Sequence, residues 1–221
     1  MFSLLSRPKQ INKGPILVSE EALGGAVGGR VGSVGRCWSG TGRVCEMKLL
    51  SWNVRGLGGP EKRREVRLLV GEKTPHILCL QETKLTVCDM SMCSSLWGIL
   101  SHVFSFCPSV GASGGLLTVW DSTEVEVWST VSREHVLLIH GRFIKTNEVF
   151  YLFNVYAPCD IRSKQELWVS LSERLVLLHE QNVCVCGDFN VVRGVEERRS
   201  VPGGVVSQDA TSFNLFIDDN L

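Results

Sequence analysis

Net charge is the first thing this sequence lacks. In 221 residues, 23 basic side chains face 23 acidic ones. That balance excludes a chain that is cationic throughout, and leaves only a local basic face for nucleic acid. Long apolar runs are missing too, and none is long enough to span a bilayer. The opening residues, Met1-Phe2-Ser3-Leu4-Leu5-Ser6-Arg7, contain no signal-peptide core. There are nine cysteines but no pair of C-x-x-C motifs, so a zinc ribbon is unsupported. Cys79, Cys184 and Cys186 sit in apolar runs, where a free thiol acts as a small hydrophobe; a reducing, intracellular setting is expected. Serine-hydrolase, H-E-x-x-H metalloprotease and kinase motifs are all absent.

What is present suits one globular domain: 44% hydrophobic residues and enough length for a sizeable core. Residues 1–46 differ from the remainder. The stretch from Gly24 to Gly42 is dense in glycine and buries little, so a disordered leader is expected, with Met47 as the start of the folded unit, 47–221. The leader's glycines follow no strand and are followed by no Gly-Lys, which argues against nucleotide binding.

From Lys48 the chain alternates strands and helices. Lys48 to Asn53 reads as a strand, and Arg55-Gly56-Leu57-Gly58-Gly59-Pro60 breaks it. Glu61 to Lys73 is helical, with Val66, Leu69 and Val70 on one face and Lys62, Arg63, Arg64 and Arg67 elsewhere. That charge run is expected to be a solvated face. His76 to Leu80 is a buried strand delivering Gln81-Glu82-Thr83-Lys84. A helix joins these two strands, so they should be parallel, with Asn53 and Glu82 at one edge.

The middle, Gly114–Trp120, Glu124–Ser129, Val136–His140 and Val149–Tyr156, reads as antiparallel strands. His135 and His140 have no partner at metal-ligand spacing and are expected to be structural. Ser163-Lys164-Gln165-Glu166 matches a capping box opening a helix striped by Leu167, Trp168, Leu171, Leu175 and Leu178. The strand Val183-Cys184-Val185-Cys186 ends in Gly187-Asp188-Phe189-Asn190. This second strand–helix–strand unit sets Tyr156 beside Asp188 and Asn190. Arg193, Glu196 to Arg199 and a Pro202-Gly203-Gly204 loop follow. A short helix is then expected from Asp209 to Asp218, with Phe213, Phe216 and Ile217 inward.

Glu82 and the amide oxygen of Asn53 are hard oxygen ligands of the kind that suit Mg²⁺ or Mn²⁺. Asp188 can orient or deprotonate a water, Asn190 can hold Asp188 or a phosphate, and Tyr156 can donate to a phosphate oxygen. Together they suggest metal-assisted phosphodiester hydrolysis.

Five segments carry a resemblance: Leu50-Ser51-Trp52-Asn53-Val54-Arg55-Gly56, Leu80-Gln81-Glu82-Thr83-Lys84, Gly114-Gly115-Leu116, Asn154-Val155-Tyr156-Ala157-Pro158 and Gly187-Asp188-Phe189-Asn190. In this order they resemble the endonuclease/exonuclease/phosphatase superfamily, and most of all the endonuclease domain of plant LINE-type (non-LTR) retrotransposons. The resemblance implies a four-layer α/β sandwich, two mixed β-sheets flanked by helices. It implies Asn53 and Glu82 at a Mg²⁺ or Mn²⁺ ion, Tyr156 near the phosphate, Asp188 orienting water and Asn190 as its partner. It further implies DNA as substrate, target-strand nicking as the task and a nuclear location, with no membrane role; no obligate protein partner is evident.

The superfamily also carries a later Asp and a Ser-Asp-His segment. No histidine follows His179 here. The expectation is a C-terminally truncated domain, short of its last strands and weak or inactive. The alternatives are a phosphatase or phosphodiesterase of the same superfamily acting on a small phosphoester, or a non-enzymatic remnant.

Overall fold

The computed structural model describes residues 35–38, 44–111, 113–191 and 208–220. Among the described residues thirteen elements follow one another: β1 Gly35–Trp38, β2 Val44–Asn53, α1 Pro60–Lys73, β3 Ile77–Gln81, α2 Met90–Trp97, β4 His102–Cys107, β5 Leu116–Asp121, β6 Val125–Arg133, β7 Val136–Phe143, β8 Val149–Tyr156, α3 Ile161–Leu177, β9 Val183–Asp188 and α4 Gln208–Asn220. They form a five-stranded sheet ordered β1-β2-β3-β5-β4 and a four-stranded sheet ordered β6-β7-β8-β9.

Both expected parallel pairings are present. Strand β2 runs parallel to β3 with Asn53 opposite Gln81, and β8 runs parallel to β9 with Tyr156 opposite Asp188. The remaining pairings are antiparallel, so both sheets are mixed.

The layers follow from which faces are apolar. One face of the first sheet, through Leu50, Trp52, Leu78, Leu80, Leu117 and Val119, packs on Val66, Val70, Leu96 and Trp97 of α1 and α2. Its other face, through Met47, Leu49, Ile77, Cys79 and Trp120, meets Ile139, Phe143, Phe150, Leu152, Cys184 and Cys186 of the second sheet. The far face of the second sheet, Phe153, Val155 and Val185, is covered by α3 and α4. Trp168 of α3 has ring centroids 5.2 Å from Phe213, 5.3 Å from Phe216 and 6.0 Å from Phe189. This is a four-layer α/β sandwich of two mixed sheets flanked by helices.

Several local expectations change. Regular structure reaches back past Met47: β2 begins at Val44 and pairs with β1, inside the segment expected to be a leader. The rest of that leader, and the Pro202-Gly203-Gly204 loop, lie outside the described residues. Gly114 and Gly115 belong to the loop before β5, not to the strand, with φ +82° and +87°. Helix α3 starts at Ile161 and its cap is Asp160, whose carboxylate accepts the Ser163 N–H at 2.8 Å; Ser163 is not the cap. A carboxylate caps as well as a hydroxyl and also favours the helix dipole, so the earlier residue ends the competition. Those hydrogen bonds to Ser163 hold Asp160 below the usual carboxylate range. Helix α2 and strand β4 were not expected. The Asp89 carboxylate caps α2 by accepting the Met92 N–H at 2.7 Å.

Candidate active site

Two strand ends from each sheet meet at one end of the sandwich. Asn53 closes β2, Glu82 follows β3, Tyr156 closes β8, and Asp188 closes β9 with Asn190 two residues on. All five are half-buried. The sheets join there directly: Asn53 Nδ2 donates to Asp188 Oδ2 at 2.5 Å. The other oxygen, Asp188 Oδ1, accepts the Asn190 backbone N–H at 2.9 Å. A carboxylate bracketed by two N–H donors has its plane fixed.

Asn190 is a junction. Its side-chain amide donates to Ala157 O at 2.6 Å and also meets the Tyr156 phenol. Burial pushes the Tyr156 phenol up to about 12, and the charges of Glu82, Cys159 and Asp188 add to that effect; the Asn190 hydrogen bond opposes it. The phenol thus feels both carboxylates and stays protonated at neutral pH. Ala157 N–H donates to Asp188 O at 2.8 Å, so the two loops are bonded in both directions.

The backbone is unusual at this end. Six non-glycine residues among those described have positive φ, and four of them, Arg55, Glu82, Lys84 and Asn190, flank these strand ends. Each such conformation costs on the order of 1–3 kcal/mol and persists only where its surroundings hold it. For Glu82 and Lys84 the holding bonds are visible: Thr83 N–H donates to Gly115 O, Lys84 N–H to Gly114 O and Leu57 N–H to Thr83 O, at 2.9–3.0 Å. A Cβ on Gly115 would stand 2.5 Å from Thr83 Oγ1, and one on Gly187 would stand 1.9 Å from Val155 O. Both positions therefore require glycine.

Beneath the site lies a buried polar layer that joins the sheets. Gln81 Nε2 donates to Asn154 Oδ1 at 2.7 Å and to Ser51 Oγ at 3.1 Å. Asn154 Nδ2 donates to Leu117 O at 3.2 Å and Thr118 Oγ1 at 3.1 Å. Gln81 immediately precedes Glu82, and Asn154 lies two residues before Tyr156. Sequence reasoning missed this layer; the available signal was a carboxamide inside each of two otherwise apolar runs.

The donor chemistry fits a divalent cation. Glu82 Oε1 pairs with Lys84 Nζ at 3.1 Å, while Oε2 has no protein partner among the described residues. Asn53 Oδ1 accepts the Arg55 N–H at 3.0 Å and keeps a second lone pair. No group of three or more His, Cys, Asp or Glu converges among the described residues. A cation here would take few protein oxygens and complete its shell with water and phosphate, the habit of Mg²⁺ and not of zinc. His135 borders the site through its backbone, its O accepting the Tyr156 N–H at 3.0 Å, and the His140 ring stacks on Tyr151 at 4.2 Å.

Comparison with known proteins places the fold. An exodeoxyribonuclease of Bacillus subtilis (strain 168) is 28% identical over 186 residues, covering 78% of this chain and 71% of that protein. The crystal structure of the AP endonuclease LMAP from Leishmania major superimposes with a TM-score of 0.63 at 20% identity, over 78% of this chain and 66% of that one. The human Nocturnin catalytic domain superimposes with a TM-score of 0.51 at 15% identity, over 67% of this chain and 66% of that one. The chain thus spans just under two thirds of those solved chains. The family model described as Endonuclease/Exonuclease/phosphatase family matches residues 50–203, a span that holds all five strand-end residues and the glycine pair. The chain belongs to the endonuclease/exonuclease/phosphatase family.

Proposed function

We propose that this chain hydrolyses phosphodiesters in DNA, as a metal-dependent nuclease. The observation that carries the proposal is the convergence of Asn53, Glu82, Tyr156, Asp188 and Asn190 at one end of the sandwich, with Asp188 held at both oxygens.

In this reading Asp188 accepts a proton from the attacking water, because both its oxygens are already oriented by N–H donors and the group accepts only. Tyr156 donates its phenolic hydrogen to a non-bridging phosphate oxygen; a phenol pushed up to about 12 keeps that hydrogen at working pH. Asn190 holds Asp188 and Tyr156 in one relation, and Asn53 carries the Asp188 orientation across to the first sheet. Glu82 and Asn53 Oδ1 would hold Mg²⁺ or Mn²⁺, which would neutralise charge developing on the phosphoryl group. Lys84, already on Glu82, and the exposed Arg55 stand ready for flanking phosphates.

DNA as substrate is supported by the likeness to an exodeoxyribonuclease and an AP endonuclease. A role in retrotransposon target nicking is supported by the wording of the motifs around Trp52 and Glu82 alone. The test is nicking of supercoiled plasmid by the purified 221-residue chain in Mg²⁺ or Mn²⁺. Asp188→Ala should reduce the rate by roughly 10²–10⁴-fold, the range lost with a general base, and chelation should abolish it. Nicking that survives both Asp188→Ala and chelation would remove these residues from the chemistry. Faster turnover of inositol phosphates than of plasmid would reject DNA as substrate.

A further inference from the structure

Lys164 lies in the first turn of α3, yet it is only 2% exposed. Lysines on helices normally bury their stems and keep the ammonium in water. This one sits on the same helical face as Leu167, Trp168, Leu171 and Leu175, three, four, seven and eleven residues further on. Its stem therefore continues the apolar stripe of α3. Its head emerges at the loop after β9, where Nζ donates to Asn190 O at 2.6 Å. An apolar residue would complete the stripe without desolvating a charge. One thing the charge adds is the bond to Asn190.

That carbonyl belongs to the junction residue of the site. Asn190 holds Asp188 through its N–H, Ala157 through its side-chain amide and the Tyr156 phenol through its side chain. It does so from a left-handed backbone conformation, φ 49°. Asn tolerates this region better than most residues, but still needs its neighbours to hold it there. The Asn190 carbonyl is the fourth arm of the junction, and Lys164 grips it. The grip comes from the helix that leaves the Tyr156 strand, so one side chain ties the Tyr156 loop to the Asp188 loop.

We propose that Lys164 is a positioning residue for the hydrolysis: its buried ammonium fixes Asn190, and through Asn190 it sets Asp188 and Tyr156. The proposal deepens the nuclease reading and rests on it for the roles of those two groups. The Lys164–Asn190 coupling itself is a structural statement with its own readout.

The test uses the full chain carrying Lys164→Met, which keeps the length and unbranched stem and removes the donor. Backbone amide exchange by NMR should show the Asp188 and Asn190 N–H groups exchanging about tenfold faster or more, with the β2 and β3 amides unchanged. In the plasmid assay kcat should fall roughly tenfold to a hundredfold with KM unchanged, because a displaced group loses rate without losing ground-state binding. Mn²⁺ affinity, read by titration calorimetry, should stay at the wild-type value. Lys164→Gln, a shorter neutral donor, should give an intermediate loss, and decides the matter by the same readouts should the Met variant not fold. Leu171→Val, on the same stripe but away from Asn190, is the control and should leave kcat within about twofold.

A folded Lys164→Met variant with wild-type Asn190 exchange and wild-type kcat overturns the proposal. So does a Leu171→Val variant that shows the same loss and the same faster exchange, since that marks general loosening of α3. If the wild-type chain cleaves no phosphodiester, the nuclease reading falls, and amide exchange alone decides whether Lys164 holds Asn190.

Discussion

At the scale of single residues, the site's burial and charge bear on one phenol, that of Tyr156. Its phenol is pushed from the usual value near 10 to about 12, first by burial and then by the negative charges of Glu82, Cys159 and Asp188. Both causes disfavour phenolate, so the folded state favours the protonated form. The stabilisation is fully present below the unfolded value near 10 and is lost as pH rises through about 12. In metal-free protein at about pH 11, where an ordinary tyrosine is mostly ionised, Tyr156 should remain protonated. Only two tyrosines are present, so ultraviolet difference spectra between wild type and Tyr156→Phe isolate its signal. Glu82→Gln removes one raising charge and should bring the ionisation to lower pH. A Tyr156 that ionises near 10 in the native protein, indifferent to Glu82→Gln, would contradict the packing described for it.

At the scale of elements, the strand ends are held in register by the buried carboxamides, and this gives a stability prediction. Asn154 is fully buried and bonded to Gln81, Leu117 and Thr118. Asn154→Leu would take from the Gln81 amide the nearest oxygen it donates to and would orphan polar groups on the facing sheet. Each unsatisfied buried group costs about 1–3 kcal/mol, so a loss of roughly 3 kcal/mol is expected. Adding Gln81→Leu should recover part of it, because removing both partners removes the orphan. Urea melts of the single and double variants measure this; a double variant worse than the sum of the singles would mean that the layer is not a paired network. The parallel units at Asn53–Glu82 and Tyr156–Asp188 were legible in the sequence because a helix between two strands dictates their direction. The buried layer was not, since a lone Gln or Asn in an apolar run does not say which partner it meets across a sheet interface. The place of Lys164 was not legible for a related reason: it falls inside the Ser163 to Glu166 capping-box match, and a lysine does not announce that its stem begins an apolar stripe. Gly114 and Gly115 read as a strand start because their neighbours are apolar, although positive φ takes them out of the ladder.

At the scale of the whole molecule, the balanced charge poses the question of how such a chain would hold a polyanion. The basic run of α1 is largely committed to its own chain. Lys62 pairs with Glu65 and lies over the Trp52 ring, Arg63 donates to Leu57 O and Gly58 O, and Arg67 donates to Ser94 O. These bonds fix the loop that follows Asn53 and the docking of α2. Arg55 and Lys84, the latter already paired with Glu82, are both exposed and lie beside the site, and are the cations best placed for a phosphate backbone there. Two such contacts predict a shallow dependence of DNA binding on salt, with a slope of log K against log salt near about −1.8. Affinity for a short duplex, followed by fluorescence anisotropy in chelator, should then fall roughly tenfold between about 50 and 200 mM monovalent salt. Arg55→Ala and Lys84→Ala should each flatten the slope by about one. A slope of about −6 or steeper would instead require a broad cationic track, with the α1 arginines released from their internal bonds, and would overturn the assignment of binding to this pair.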